Sequence, residues 1–256
     1  MESQLLQHES MKKFLQLLNE NDMSEQKANV EFLASYVDNM EYQFNTVLDE
    51  LKNVREELTA IQDKTLKATA TRTVDKVTHK VEEGKNSLLK LKQHIISTVD
   101  KAIGNFKKQG KNALSKALEF LNIKPALETI KDGLNQMNNS ADKGIDNLSK
   151  FSDEIHATNI HFKNIGRMLL GKETKDISPR DPNKGLLLKA QEGLFFSMAV
   201  FTKMSKQTNA MITRIDKLQQ EPKQSVKNEL KDIKDAKSSL LSNKTNTKEN
   251  KQRGQR

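Results

Sequence analysis

Residues 127–169 read LETIKDGLNQMNNSADKGIDNLSKFSDEIHATNIHFKNIGRML. Apolar or small residues recur at Leu127, Ile130, Leu134, Met137, Ala141, Gly144, Leu148, Phe151, Ile155, Thr158, Phe162, Ile165 and Leu169, in alternating steps of three and four. Such steps hold one narrow stripe along an α-helix, and a stripe this narrow needs another helix to cover it. The fold class expected is therefore all-α: a long antiparallel helical bundle or coiled coil.

Towards the N-terminus a second stripe runs through Val30, Leu33, Val37, Met40, Phe44, Val47, Leu51, Val54, Leu58 and Ile61. These ten core positions contain no polar residue and form the candidate helix-partner interface. Their register fails after Thr65 and Ala68, and a fresh stripe begins at Val74 and passes through Val77, Val81, Gly84, Leu88, Leu91, Ile95, Thr98 and Ala102. Between the two lie residues 64–73, rich in threonine. They read either as a register shift inside one helix or as a bend, so residues 24–121 form one helix or fold back near 64–73.

The remaining boundaries follow from punctuation. Residues 1–23 hold a short helix, Glu9 to Glu20, with Met11, Phe14, Leu15, Leu17 and Leu18 on its apolar side. Ser24 reads as an N-cap. Pro125 suits the first turn of a new helix, and residues 74–121 should pack on 125–170 as a hairpin. The long heptad-bearing helices thus occupy 24–170. A flexible linker, 171–185, carries Pro179 and Pro182 between flanking glycines. C-terminal helices over 186–241 should pack on the bundle, with Leu187, Leu194, Met198, Phe201, Thr208, Ile212 and Ile215 on one side and Leu188 and Phe195 widening the apolar face. From Ser242 to Arg256 nothing is apolar, so 242–256 reads as a disordered basic tail.

Charge sharpens this outline. Of the formal net charge of +9, residues 223–256 contribute ten Lys/Arg against four Asp/Glu. Residues 24–62 hold eight acidic and three basic side chains, whereas 64–116 hold thirteen basic and four acidic. Neighbouring segments of opposite sign attract each other if they run antiparallel, and self-pairing is the preferred reading. In the tail, Lys244, Lys248, Lys251, Arg253 and Arg256 are the candidate nucleic-acid contacts, since a basic arm neutralises backbone phosphates.

Chemistry is not signalled. With no cysteine in the 256 residues, disulfides, thiolate metal sites and cysteine nucleophiles are excluded, which fits a reducing compartment. His156 and His161 are five apart, whereas a helical zinc pair needs a spacing of about four. Gly166 to Lys172 has the glycine spacing of a phosphate loop, but Glu173 stands where Ser/Thr is required and the segment closes a helix. Glu56-Glu57 and Glu82-Glu83 are adjacent and diverge around a helix. No cofactor, metal or catalytic residue is expected, and the protein is read as non-enzymatic. Met1 to Leu18 is interrupted by charges, so no secretory signal is expected. Gly185 to Phe201 is broken by Lys189, Gln191 and Glu192, and no transmembrane segment is expected. The threonine-rich stripe of 64–116 is too weak for a peripheral membrane contact. The expected compartment is the cytoplasm.

The runs Ile61-Gln62-Asp63-Lys64 with Leu66-Lys67-Ala68, and Gly166-Arg167-Met168-Leu169-Leu170-Gly171-Lys172-Glu173, resemble an uncharacterised family of helical proteins associated with Firmicute integrative and conjugative elements. The resemblance covers most of the chain, from the N-terminal helix to the linker and the helix beyond it. It implies an accessory role in a bacterial mobile element and a cytoplasmic location. The family has no assigned activity, so no functional residue carries over. The leading expectation is a coiled-coil interaction or scaffold protein, binding a protein partner or itself through helix faces. The alternative is a nucleic-acid-binding accessory protein using the basic tail.

Overall fold

The structure, a computed structural model, describes residues 4–120, 123–169, 172–176 and 187–217. Among these residues there is no strand. The helices are α1 (Gln4–Gln7), α2 (Glu9–Glu20), α3 (Ser24–Leu58), α4 (Lys64–Gln109), α5 (Lys111–Phe120) and α6 (Lys124–Leu169). Residues 188–217 are also helical. Residues 1–209 form one compact unit and 210–256 a second. The part of the last helix within the first unit, 188–209, is α7 here.

Four of these helices make an antiparallel bundle. Arg55 pairs with Asp75, while Asp38 and Glu41 pair with Lys92, so α4 runs back along α3. Lys131, Asn135 and Ser149 on α6 bond to Asn209, Ser205 and Gln191 on α7, again antiparallel. Tyr36 and Gln43 reach Thr208 and Gln207, which sets α7 against α3. α4 lies against α6. At the centre, a Cβ on Gly84 would collide with Met137 and come 3.1 Å from the Phe44 ring, so the missing side chain admits both.

All ten stripe positions from Val30 to Ile61 are buried in this unit's own core. The reason is local. α3 stops at Leu58, the Thr59 hydroxyl donates to the Glu56 carbonyl, and the chain reverses through Thr59–Asp63. Asp63 then caps α4 by accepting from the backbone N–H groups of Thr65 and Leu66, both at 2.9 Å. Lys67 Nζ donates to the Thr59 carbonyl across the turn. The chain therefore folds back, but before 64–73 rather than within it. The threonine-rich stretch is the first part of α4, with Leu66 and Ala70 buried.

Other boundaries shift for equally local reasons. Met23 occupies the N-cap position of α3 and Ser24 is its first helical residue, without a side-chain cap. In α4 the buried residue after Ile95 is Val99, four on, not Thr98. Gly110 ends α4 at φ 54°, a backbone conformation a Cβ disfavours, so the expected 74–121 segment is two helices. The inward side of α7 carries Ala190, Leu194, Ser197, Phe201, Met204 and Thr208, with Leu187 buried just before it. Phe195, expected to widen the apolar face, is 57% exposed. Ser197 and Thr208 take inward positions at no hydrogen-bonding cost because each hydroxyl donates to the carbonyl four residues back.

Two of the polar contacts that fasten the bundle involve groups with shifted pKa. Tyr36 donates to Thr208 at 2.8 Å, and Thr208 donates onward to the Met204 carbonyl. Burial pushes the Tyr36 hydroxyl well above the usual tyrosine range, against a smaller opposing effect of Thr208. Lys92 Nζ lies 3.0 Å from Asp38 Oδ1 and 2.7 Å from Glu41 Oε2, and Leu5 N–H donates to Asp38 Oδ2. Burial pulls the Lys92 pKa down, but its hydrogen bonds to Glu41 and Asp38 and their charges outweigh this, leaving it above the ordinary lysine value. The acidic α3 and basic α4 thus meet at a specific triad, which also pins α1.

Candidate interaction site

The α6–α7 pairs keep constant register: fourteen residues back from Ser149 to Asn135 match fourteen forward from Gln191 to Ser205. The same register puts Leu187, the residue before α7, level with Asp153. On the other side, Gly144 faces Thr73 and Met137 faces Gly84, which brings the start of α4 at Lys64 to about the same level. α6 continues to Leu169. Residues 154–169 therefore project past both neighbours by about 24 Å at the α-helical rise.

Along this overhang the heptad stripe changes environment. Leu127, Ile130, Leu134, Met137, Ala141 and Leu148 are buried. Phe151 is half-buried and Thr158 is exposed. Phe162 is 68% exposed, Ile165 50% and Met168 61%. Exposed single apolar residues are ordinary, but two on consecutive turns of one helix in the phase of a buried seam, with Met168 beside them, form a surface suited to a partner.

The far side of the overhang is occupied. Asn164 Nδ2 donates to the Lys175 carbonyl and Lys175 N–H donates back to Asn164 Oδ1, at 2.6 and 2.8 Å. Arg167 Nε donates to the Glu173 carbonyl at 2.6 Å, and Lys172 N–H donates to the Arg167 carbonyl. Residues 172–176 are thus clasped along the end of α6. At about 100° per residue, Asn164 and Arg167 lie roughly 140–160° around the helix from Phe162. The clasp leaves the apolar side uncovered.

From residue 7 to residue 256 the sequence matches the model of a family of unknown function, DUF6674. The chain belongs to this family. No curated protein and no solved structure matches it. The DUF6674 match takes in the bundle, the overhang and the basic C-terminal residues together.

The other sequence-derived candidates of this DUF6674 chain separate in space. Val30 to Ile61, the candidate helix-partner interface, is covered by the chain's own helices, so the helices that answer its seam are intramolecular. Lys244, Lys248, Lys251, Arg253 and Arg256 lie outside the described residues, as do most of the 171–185 linker and the helix expected around Val226 to Leu240. Among the described residues no three His, Cys, Asp or Glu side chains converge on a metal position. Gly166 lies in the last turn of α6, where Arg167 Nε donates to the Glu173 carbonyl, at a helix C-terminus that repels phosphate. A depression of about 550 Å³ beside Lys64, Thr71 and Asp75 is an open groove on one helix rather than an enclosed pocket. Among the described residues no helix is long and apolar enough to cross a membrane.

Proposed function

We propose that this protein is a non-enzymatic interaction or scaffold protein that docks a helical partner on the α6 overhang. One observation carries the reading: the heptad stripe that is core up to Leu148 stays in phase but lies in solvent at Phe162 and Ile165. An antiparallel bundle holds such a stripe at a fixed distance from its body, as an adaptor requires. The resemblance to helical proteins of Firmicute integrative and conjugative elements supports the finer reading, an accessory protein of a bacterial mobile element acting in the cytoplasm.

The test is photo-crosslinking in the native host, with p-benzoylphenylalanine replacing Phe162 and, as control, Asp146 on the exposed side of α6. Adducts at 162 and none at 146 are expected, and a partner from outside this chain should be encoded by the same element. Equal labelling at both positions, or none at 162, refutes the docking role.

A second reading rests on the ten Lys/Arg against four Asp/Glu in residues 223–256. It makes the protein a nucleic-acid-binding accessory through Lys244, Lys248, Lys251, Arg253 and Arg256. With no Trp and two Tyr, the chain absorbs weakly at 280 nm, so bound nucleic acid would dominate its spectrum. This reading requires a large 260 nm signal in the purified protein that disappears when 223–256 is deleted and weakens steeply with salt.

A further inference from the structure

We infer that α7 is a detachable strap: it leaves the bundle as one piece while α3, α4 and α6 stay packed. The inference stands apart from the docking role. Its support is where the buried polar side chains sit. α4, which lies against both α3 and α6, buries eleven residues, and none of them is polar. Its ion pairs to α3, at Asp75 and Lys92, flank that seam. α7 instead buries Gln191, Ser197 and Thr208, and the buried Gln43 of α3 donates to Gln207. Four of the five buried polar residues among those described thus lie on α7 or bond to it.

Departure of α7 strands no polar group. Ser197 and Thr208 donate to the Gly193 and Met204 carbonyls of α7 itself, so both bonds travel with the helix. Gln191, Ser205, Gln207 and Asn209 exchange their bonds to Ser149, Asn135, Gln43 and Lys131 for bonds to water. Tyr36 exchanges Thr208 for water in the same way. A hydrogen bond replaced by one to water holds two helices together less firmly than the burial of a large apolar side chain. Packing is thin as well, since Ala190 and Gly193 present at most a methyl group to the bundle. α7 is also the last helix of its unit, so its exit breaks no contact among α1 to α6. Single elements of this kind open cooperatively, below the free energy of global unfolding. Opening bares Val54 and Tyr36 of α3 and Gly144 of α6, which the closed bundle sets against Gly193, Thr208 and Leu194.

Hydrogen–deuterium exchange of the full chain, read by mass spectrometry, tests this. Amides of 188–209 should exchange at least about tenfold faster than those of 74–99 in α4, along the whole segment rather than from one end. A cysteine pair supplies a lock. A Cβ at Gly193 would lie 3.6 Å from Val54 Cβ, a separation a disulfide spans, and the chain has no other cysteine. In the double variant Val54→Cys, Gly193→Cys, oxidation should close most of the gap between the two segments, and reduction should restore it. Should that pair disturb folding, Gln191→Leu replaces a buried polar contact by an apolar one. It should slow exchange of 188–209 about fivefold relative to α4. Equal protection of α7 and α4 in the parent overturns the inference, because α7 then opens only with the whole bundle. Oxidation that leaves the gap unchanged, or exchange that is fast at one end alone, also overturns it, since both mean fraying within a docked α7. So does a Gln191→Leu chain whose gap equals that of the parent.

Discussion

The same substitution at two glycines should move stability in opposite directions. Gly104 and Gly193 both lie inside helices, and at either position Gly→Ala removes a helix-propensity penalty of about 1 kcal/mol. Around Gly104 nothing stands within 4 Å of an added Cβ. Gly193 faces Val54, and a Cβ there would overlap the valine Cγ2. Valine is stiff at χ1 and Val54 is 3% exposed, so it cannot rotate away. Overpacking of this kind costs about 1–3 kcal/mol. Gly104→Ala is therefore expected to stabilise by about 1 kcal/mol. Gly193→Ala is expected to run from neutral to about 2 kcal/mol destabilising once the propensity gain is subtracted. For a chain of this size each kcal/mol shifts Tm by roughly 2–4 °C. Thermal unfolding followed by circular dichroism at 222 nm reads both variants against the parent. If Gly193→Ala raised Tm as much as Gly104→Ala, the close approach of α7 to α3 at Val54 would be refuted.

Two further expectations concern the polar fasteners. Thr208→Val should cost about 1–3 kcal/mol because it leaves the buried Tyr36 hydroxyl without its acceptor, whereas Tyr36→Phe should cost only about 1 kcal/mol, since Thr208 keeps its bond to the Met204 carbonyl. Chemical denaturation of the two variants side by side decides this, and equal losses would contradict it. Lys92 predicts a pH effect. Its pKa is higher folded than unfolded, so its contribution is complete below about pH 10.4 and is lost as pH rises through the folded value. The denaturation midpoint of the parent should fall more steeply above about pH 10 than that of Lys92→Met, and parallel curves would show that the triad adds nothing at that pH.

Much of the architecture is legible in hydrophobic period alone. Every residue from Val30 to Ile61 in the predicted seam is buried, and Glu9–Glu20 is a helix with the expected inner side apart from half-buried Leu17. Period says that a seam needs a helix, but not whose. The α3–α4 reversal carries neither Gly nor Pro, and its one local signal is Asp63 preceding Lys64-Thr65-Leu66, an N-cap easily lost inside a threonine-rich run. Ser197 and Thr208 enter the core against their hydropathy because the helix itself satisfies their hydroxyls. The overhang was least visible. From Leu127 to Leu169 the stripe is uniform, and its exposure beyond Leu148 depends on where α4 and α7 end, which is encoded elsewhere in the chain. The Asn164–Lys175 clasp leaves no trace in the stripe, since its residues lie on the other side of the helix.

α4 and α6 are each 46 residues long, yet they are displaced along each other, so each leaves one end bare. The end of α4 is sheltered by α2 and α5, while against that of α6 lie residues 172–176. This makes the reach of α6 an adjustable ruler, separable from the fold. Removing seven residues would shorten the rod by about 10 Å and return the stripe to nearly the same bearing. Insertions of seven would lengthen it without altering any contact below Asp153. Lineages could thus retune the reach of this helix, in steps of two turns, while the bundle remains unchanged.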